Sequence, residues 1–490
     1  MKTDEEKGAR FGISGLDAVL GGGLSRGRLF LLEGRPGTGK TTVATQFLME
    51  GTAQGEKCLY ITLSETKDEL VSSARSHGWS LDGIEIFELV PPESLLDERQ
   101  QQSLLYSSDL ELGETTQRIF ETLARIQPQR VVLDSLSEIR LLAQSSLRYR
   151  RQILALKQYL ARQRTTTLLL DDQSAMPEDG AMHSIAHGVI RLEELAPEYG
   201  AERRRLRIVK FRGRQFRGGF HDFTIDTGGI RVFPRLISAE HRTDVTGGVL
   251  PSPSDELNAL LGGGIDRGSS TLIIGPAGTG KSILSLTFAQ STVTLGEKAS
   301  MFIFDEERNW LIERSRGLGI DLNGMIARGQ MELHQVDAAE LTPGEFSQRV
   351  RESVERGATT VVIDSLNGYS VSMPGETALI LHIHELLQYL NRKGVTTLMT
   401  VAQHGLVGDM TTPVEVTYLS DIVILLRYFE AMGRVRRAIS IVKKRSGHHE
   451  ETIREYSIDG RGVTLGEPLT GFQGVLTGIP VLAGSAPASP

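Results

Sequence analysis

The sequence predicts an α/β protein built twice: two tandem domains, each a mainly parallel sheet flanked by helices, with antiparallel additions at its end. Three observations predict it. Short apolar, β-rich runs alternate with stretches of helical periodicity. The same glycine-rich loop follows an early apolar run in each half. The halves also align at nearly constant spacing along most of the 490 residues.

The first half opens on the apolar run Leu29 to Leu32, then Gly34-Arg35-Pro36-Gly37-Thr38-Gly39-Lys40-Thr41, then the helix-like stretch Val43 to Met49. The loop reads G-x-x-x-x-G-K-[ST] between a strand and a helix. In that setting glycines let backbone N–H groups converge on phosphate oxygens, and the helix N-terminus adds positive potential. Lys40 is expected to reach the β- and γ-phosphates of ATP, and Thr41, with Thr42 beside it, to present a hydroxyl to Mg²⁺. Leu59 to Leu63, Val131 to Leu133 and Leu168 to Leu170 are short, apolar and β-rich, as buried parallel strands are. Glu121 to Ile126 and Ile153 to Leu160 carry apolar residues at helical spacing. Arg205 to Lys210 and then Phe220 to Phe233 alternate, predicting the antiparallel additions.

The second half repeats this order. Leu272 to Ile274 leads into Gly275-Pro276-Ala277-Gly278-Thr279-Gly280-Lys281-Ser282, and Leu284 to Ala289 follows. The loops are offset by 275 − 34 = 241 residues, and at that offset Gly55-Glu56-Lys57 falls on Gly296-Glu297-Lys298, Leu70 on Leu311 and Gly78 on Gly319. Farther on the offset is 230, where Val131-Val132-Leu133-Asp134-Ser135-Leu136 meets Val361-Val362-Ile363-Asp364-Ser365-Leu366. At 233, Ile208-Val209-Lys210 meets Ile441-Val442-Lys443, and Arg212 meets Arg445. Such self-similarity is a tandem duplication. The expected division is a first domain over 1–235, a polar Pro/Gly-containing linker over 236–250, a second domain over 251–467 and a mobile tail over 468–490.

Bulk properties exclude several classes. With 39% hydrophobic and 23% charged residues the composition is that of a soluble globular protein, and the net charge of −7 argues against a surface that coats nucleic acid. Cys58 is the single cysteine, so intramolecular disulfides and cysteine zinc sites are excluded and a reducing cytoplasm is the natural compartment. Met1 to Arg10 lacks the apolar core of a signal peptide, and no apolar run approaches a membrane span.

Asp134 and Asp364 each end an apolar strand downstream of a phosphate loop, the position from which a carboxylate holds Mg²⁺ directly or through water. At the end of the Leu59 to Leu63 strand, Ser64-Glu65-Thr66 corresponds to Asp305-Glu306-Glu307. Hydrolysis or phosphoryl transfer needs a carboxylate there to orient and deprotonate the attacking oxygen. The second half offers three acids in a row, Asp305, Glu306 and Glu307; the first offers only Glu65. Gln173 and Gln403 follow the Thr-Thr-Leu strands, where a neutral amide can sense the γ-phosphate.

The two loops, the two Val-Val-hydrophobic-Asp-Ser strands and the Lys-x-Arg segments together resemble KaiC and the KaiC-like ATPases of the RecA-type P-loop group. Ala74-Arg75-Ser76-His77-Gly78-Trp79 and Ser420-Asp421-Ile422-Val423-Ile424-Leu425-Leu426 also match. The resemblance covers nearly the whole chain and implies two RecA-like P-loop NTPase domains. It implies a homohexamer of two stacked rings with ATP at subunit interfaces, read by regulatory protein partners. It places trans-acting phosphate contacts at Lys210, Arg212, Lys443 and Arg445. The family's adjacent catalytic Glu-Glu pair falls on Ser64-Glu65 and Asp305-Glu306. A one-residue slide to Glu306-Glu307 breaks the Leu311 and Gly319 matches, so the gapless register is preferred. The family's self-phosphorylation, just upstream of Ser420-Asp421, maps to Thr417 and Tyr418, with tyrosine where the family has a threonine.

The expected function is therefore a hexameric ATPase whose second domain hydrolyses ATP and phosphorylates itself as a serine/threonine-type autokinase, a slow clock-like switch. Two rivals stand beside it. A RecA/RadA-type DNA-dependent ATPase would use the basic cluster Arg203-Arg204-Arg205-Leu206-Arg207 with Arg212, Arg214 and Arg217, although aromatic residues for base stacking are sparse. A nucleotide-dependent scaffold with little turnover is the other.

Overall fold

Each apolar run becomes a strand buried on both faces. The computed structural model of the chain describes residues 8–89, 104–172, 180–196, 200–238, 247–371, 376–403, 405, 417–460, 462–477 and 481–482. By its internal contacts the chain divides into two units, Met1–Arg235 and Leu236–Pro490.

The first unit contains β1 (Leu29–Gly34), β2 (Cys58–Thr62), β3 (Ile84–Glu88), β4 (Arg130–Asp134), β5 (Thr166–Asp172), β6 (Gly188–Leu195), β7 (Arg203–Phe211), β8 (His221–Asp226) and β9 (Gly229–Phe233). They form one sheet in the order β3-β2-β4-β5-β1-β6-β7-β8-β9. Strands β3 to β6 in that order are parallel, and β7, β8 and β9 add on antiparallel. Alternation along β1 divides the core: Leu29 and Leu31 pack on one face with Leu59, Ile61, Val131 and Leu169. Phe30 and Leu32 pack on the other with Tyr60, Val132, Leu168 and Leu170. A parallel sheet must be covered on both sides, and the helices do this. Helix Lys40–Ala53 buries Val43, Ala44, Phe47 and Leu48. Helix Ser146–Arg162 buries Tyr149, Ile153, Leu156 and Leu160, one face at helical spacing.

The second unit starts with a ribbon of β10 (Val249–Leu250) and β11 (Ile265–Asp266) and then repeats the sheet. Its strands are β12 (Ser270–Gly275), β13 (Lys298–Ile303), β14 (Met331–Gln335), β15 (Ala358–Asp364), β16 (Thr396–Ala402), β17 (Ile422–Ala431), β18 (Arg434–Lys444), β19 (Arg454–Asp459) and β20 (Gly462–Pro468). The order β14-β13-β15-β16-β12-β17-β18-β19-β20 is that of the first sheet. Even the irregularities recur: a register shift falls between Val189 and Ile190 in β6, and between Val423 and Ile424 in β17.

The predicted α/β class, with parallel strands first and antiparallel ones after, is what both sheets have. Two details differ from the sequence reading. The edge strands β3 and β14 were not anticipated, because an edge is half solvated and Ile84-Glu85-Ile86-Phe87-Glu88 does not read as an apolar run. The stretch Phe220 to Phe233 folds as two strands joined at Thr227-Gly228. At the unit boundary Leu236 is buried in a core of the second unit, and Ser238 donates to Gln388 at 3.0 Å. Beyond Pro468, Val475 is buried against Phe429, Ala431 and Ala438, and Phe472–Gln473 pairs with Val481–Leu482. Residues 478–480 and 483–490 of the expected tail lie outside the described residues.

Candidate nucleotide sites

Strands β1 and β12 each end on the first glycine of the loop, and sterics explain the residue. A β-carbon on Gly34 would lie 2.6 Å from Thr38 Oγ1, and one on Gly275 would lie 2.5 Å from the Leu426 carbonyl. Gly39 and Gly280 cap the following helices with φ of 94° and 93°, a left-handed turn that favours glycine. Thr38 and Thr279 donate their hydroxyls to the carbonyls of Arg35 and Pro276, each at 2.8 Å, so the loops hold their own shape. Gly37 and Gly278 lie in the exposed bend.

Lys40 donates to the carbonyls of Gly34 and Arg35 at 2.9 Å each and forms an ion pair with Asp172 at 2.6 Å. Lys281 donates to the Pro276 carbonyl at 2.8 Å. Burial lowers its pKa, against the opposing pull of Asp364 and Asp305.

Asp134 sits at the C-terminal end of β4, beside the loop. Its Oδ2 accepts from the Tyr60 hydroxyl at 2.6 Å and from the Thr41 hydroxyl at 3.3 Å. Burial lifts its carboxyl above the usual range despite those bonds. In the second unit Asp364 accepts from Thr400, and Ser282 is the second residue of the helix Lys281–Thr294. In the first unit a loop hydroxyl thus converges on a carboxylate, the hard-oxygen donor set that suits Mg²⁺. Thr41 with Asp134, and Ser282 with Asp364, would hold that ion, which supplies charge neutralisation at the phosphates.

The register of the acids is fixed by equivalent backbone bonds. Leu63 N–H donates to the Asp134 carbonyl at 2.7 Å, and Phe304 N–H to the Asp364 carbonyl at 2.8 Å. Ser64 therefore stands opposite Asp305, and Glu65 opposite Glu306. Asp305 accepts from Ser365, and Glu306 is paired with Arg314 at 2.7 Å. Burial raises the pKa of Glu306 against Arg314, with Asp364 adding to the rise. Burial also raises Glu65, reinforced by Asp134 and Glu69. Ser64 is exposed.

Not every expected site residue gathers at the loops. Arg212 N–H donates to the His187 carbonyl, and His187 N–H to the carbonyl of Leu29, the first residue of β1. The loop follows the last residue of β1, so Lys210 and Arg212 stand at the opposite end of the sheet. There Lys210 donates to the carbonyls of His183 and Ala186, and Arg212 to that of Ser184 at 3.0 Å. The second unit repeats the arrangement. Lys443 donates to the carbonyls of Thr417 at 3.0 Å and Ser420 at 2.7 Å, and Arg445 to that of Tyr418 at 2.8 Å. Thr417 and Tyr418 are exposed and lie at this far end, with the cations rather than with Gly275 to Ser282. Within one chain neither cation pair reaches its own loop.

Gln403 donates its backbone N–H to the Gly275 carbonyl at 3.1 Å, and its side-chain oxygen is buried without a partner among the described residues. Gln173 lies outside the described residues. Part of the basic cluster is internally neutralised: Arg204 pairs with Glu194 and Glu202, Arg205 with Glu193 at 2.8 Å, and Arg205 also lies 3.9 Å from the Phe220 ring centre. Such arginines are poor candidates for a phosphodiester surface. Sequence reasoning missed Tyr60, Asp172 and Arg314. Asp172 alone carried a signal: Asp171-Asp172 precedes Gln173 where Val401-Ala402 precedes Gln403.

Among the described residues no helix is long and apolar enough to cross a membrane. Compared with known proteins, the model of the family described as "ATPase: KaiC" matches residues 9–237 and again 251–470. The circadian clock protein KaiC3 of Synechocystis sp. is 28% identical over 98% of this chain and 96% of its own length. The circadian clock oscillator proteins KaiC of Acaryochloris marina and Synechococcus elongatus are each 27% identical over 96% of this chain, and over 90% and 91% of their own lengths. Two matched copies of the domain, each with its own phosphate loop, make the chain a member of the KaiC family of ATPases.

Proposed function

We propose that the chain works as a homohexamer of two stacked rings, with ATP and Mg²⁺ at each subunit interface, and that its second domain both hydrolyses ATP and phosphorylates itself. The observation that carries this reading is the separation of Lys443 and Arg445 from Gly275 to Ser282 across the sheet. A cation pair matched in both units yet remote from its own loop is best explained by service to the next subunit. Thr417 and Tyr418, whose carbonyls accept from Lys443 and Arg445, would in this reading meet the neighbour's site as phosphoacceptors in trans.

In this mechanism the loop N–H groups and Lys281 bind the phosphates. Asp305 takes the proton from the attacking oxygen, which is water in hydrolysis and the hydroxyl of Thr417 or Tyr418 in autophosphorylation. Lys443 and Arg445 of the partner subunit stabilise charge developing on the transferred group. Glu306, tied to Arg314, positions the strand end. In the first domain Ser64 leaves Glu65 as the sole acid, so that ring binds nucleotide and turns it over slowly. The proposed domains are 1–235 and 251–467, joined by 236–250. Regulatory proteins are the proposed partners and the cytoplasm the proposed compartment, with Cys58 buried as a free thiol.

Mass spectrometry of the intact protein tests this directly. With Mg²⁺ and ATP it should give a six-chain particle under native conditions and, after denaturation, a mass gain of one or more phosphates at Thr417 or Tyr418. A particle with turnover and no phosphate removes the kinase and leaves the ATPase. Turnover by monomers removes the trans site.

A further inference from the structure

The second unit carries a buried polar chain behind its leading acid. His382 joins three helices: its Nδ1 bonds the Tyr369 hydroxyl at 2.6 Å, and its Nε2 bonds the Ser347 hydroxyl at 3.0 Å. Ser347 belongs to helix Pro343–Glu355, Tyr369 to Leu366–Val371 and His382 to Glu376–Arg392. Burial pushes the His382 pKa down to about 4, so the ring is neutral, with one nitrogen donating and the other accepting. Tyr369 is buried, and its ring lies 5.7 Å from that of Phe304, the residue just before Asp305. The short helix that carries Tyr369 also meets Asp305 directly. Ser365, the residue before that helix, donates its hydroxyl to Asp305 Oδ2 and accepts from the Gly368 N–H at 3.4 Å. A β-carbon on Gly368 would lie 2.5 Å from the Phe304 β-carbon and 2.8 Å from Asp305 Oδ1, so glycine is needed for the approach. Asn367 ties the helix to the end of β16, exchanging two hydrogen bonds with Ala402 at 3.0 and 2.7 Å. At the offset of 230 the residue matching Tyr369 is Ile139, as Ser64 matches Asp305 at 241. The first unit lacks the hydroxyl and the acid together.

We propose that Tyr369, braced by His382, is a positioning residue for the second site: it fixes the short helix whose Ser365 hydroxyl orients Asp305. This rests on the reading of Asp305 as the base. A carboxylate at a strand end swings about its side-chain torsions, whereas proton abstraction needs one oxygen held within hydrogen-bond reach of the attacking atom. Ser365 removes that freedom only if its own helix is fixed. The bonds from Ser347 through His382 to Tyr369 fix it from behind, and Asn367 fixes it at the sheet. Tyr369 and His382 act through Ser365 rather than on the nucleotide.

The test is steady-state ATP turnover by the full chain. Tyr369→Phe keeps the ring and its packing and removes the hydroxyl; it should lower kcat roughly tenfold and leave KM for ATP within about twofold. His382→Leu should do the same, while His382→Asn, which keeps an acceptor where Nδ1 stands, should recover most of the rate. Ser365→Ala should also lower kcat, and Tyr369→Phe added to it should cost less than about a further twofold, because both act on one bond. A normal kcat in Tyr369→Phe overturns the proposal. So does a loss that multiplies with that of Ser365→Ala, or one in which KM rises in step, each the mark of a general structural role. Asp305→Asn separates the two levels. If it is inactive while Tyr369→Phe is normal, the base stands and the positioning residue falls. If it turns over ATP at the normal rate, the reading of the base fails and the positioning role falls with it.

Discussion

Replacing Asp305 by Asn together with Glu306 by Gln is expected to remove nearly all ATP hydrolysis, a fall of about 10²–10⁴-fold, which is the usual worth of a positioned acid–base group. Glu65→Gln should leave total turnover within about twofold, because general-base catalysis needs a carboxylate placed at the attacking oxygen and the first unit has lost its leading acid. Asp305 is the stronger candidate for the base. It directly follows Phe304, whose N–H donates to the Asp364 carbonyl at the loop end of the sheet, and its Oδ2 is oriented by Ser365. Glu306 is occupied by Arg314 at 2.7 Å. Single variants should therefore divide unequally, with Asp305→Asn close to the double variant and Glu306→Gln milder. Steady-state phosphate release, with nucleotide binding measured alongside to show that the loops are intact, checks this. Substantial turnover in the double variant would move the chemistry to Glu65.

A second large effect is on stability. Arg130→Ala should destabilise the first unit by about 3–5 kcal/mol, the range seen when one member of a buried ion pair is removed. Arg130 is fully buried at the start of β4, and its guanidinium donates to Glu56 at 2.7 Å, the Phe47 carbonyl at 2.8 Å and the Arg10 carbonyl at 2.5 Å. It also lies 4.8 Å from the Phe47 ring centre. One side chain thus ties the end of helix Lys40–Ala53 and the N-terminal segment to the sheet. Burial pulls Glu56 up, but Arg130 and Arg26 hold its carboxyl below the usual range. Without Arg130 that carboxyl is buried with Arg26 as its remaining charge partner, at 2.7 Å. The second unit needs no such pin, since Thr360 begins the equivalent pairing and bonds Thr292 at 2.7 Å. Denaturant unfolding followed by probes specific to each unit should show the first transition shifted and the second unmoved. Adding Glu56→Gln should recover part of the loss.

What the sequence revealed and what it hid follow from the range of each interaction. The loops, the strands beside them and the Asp-ended strands are local patterns, so their spacing alone predicts an α/β chain built twice. The duplication carried longer-range information. The offset of 443 − 210 = 233 matched Lys210 with Lys443, and both lie opposite valines, Val189 and Val423, in their sheets. The 241 offset likewise aligned Ser64 with Asp305, as the paired backbone bonds of Leu63 and Phe304 do. Contacts made in only one half had no such guide. Lys40 meets Asp172, and Glu56 meets Arg130, across long stretches of chain through strand pairings that no periodicity encodes. The edge strands β3 and β14 were hidden for another reason: half-solvated strands lack the apolar run by which buried ones are read.

The central claim is that each ATP site is completed by a neighbouring subunit and that the second ring performs most of the chemistry. Subunit complementation tests it most directly. Lys281→Ala lacks the loop lysine but keeps Lys443 and Arg445; the Lys443→Ala, Arg445→Ala double variant keeps the loop but lacks the cations. Each alone should be nearly inactive. Mixed and reassembled at equal amounts, they should recover about a quarter of normal turnover, the share of interfaces in a random ring that join an intact loop to intact cations. Full activity in the cation variant alone, or no recovery in assembled mixed rings, would contradict the account.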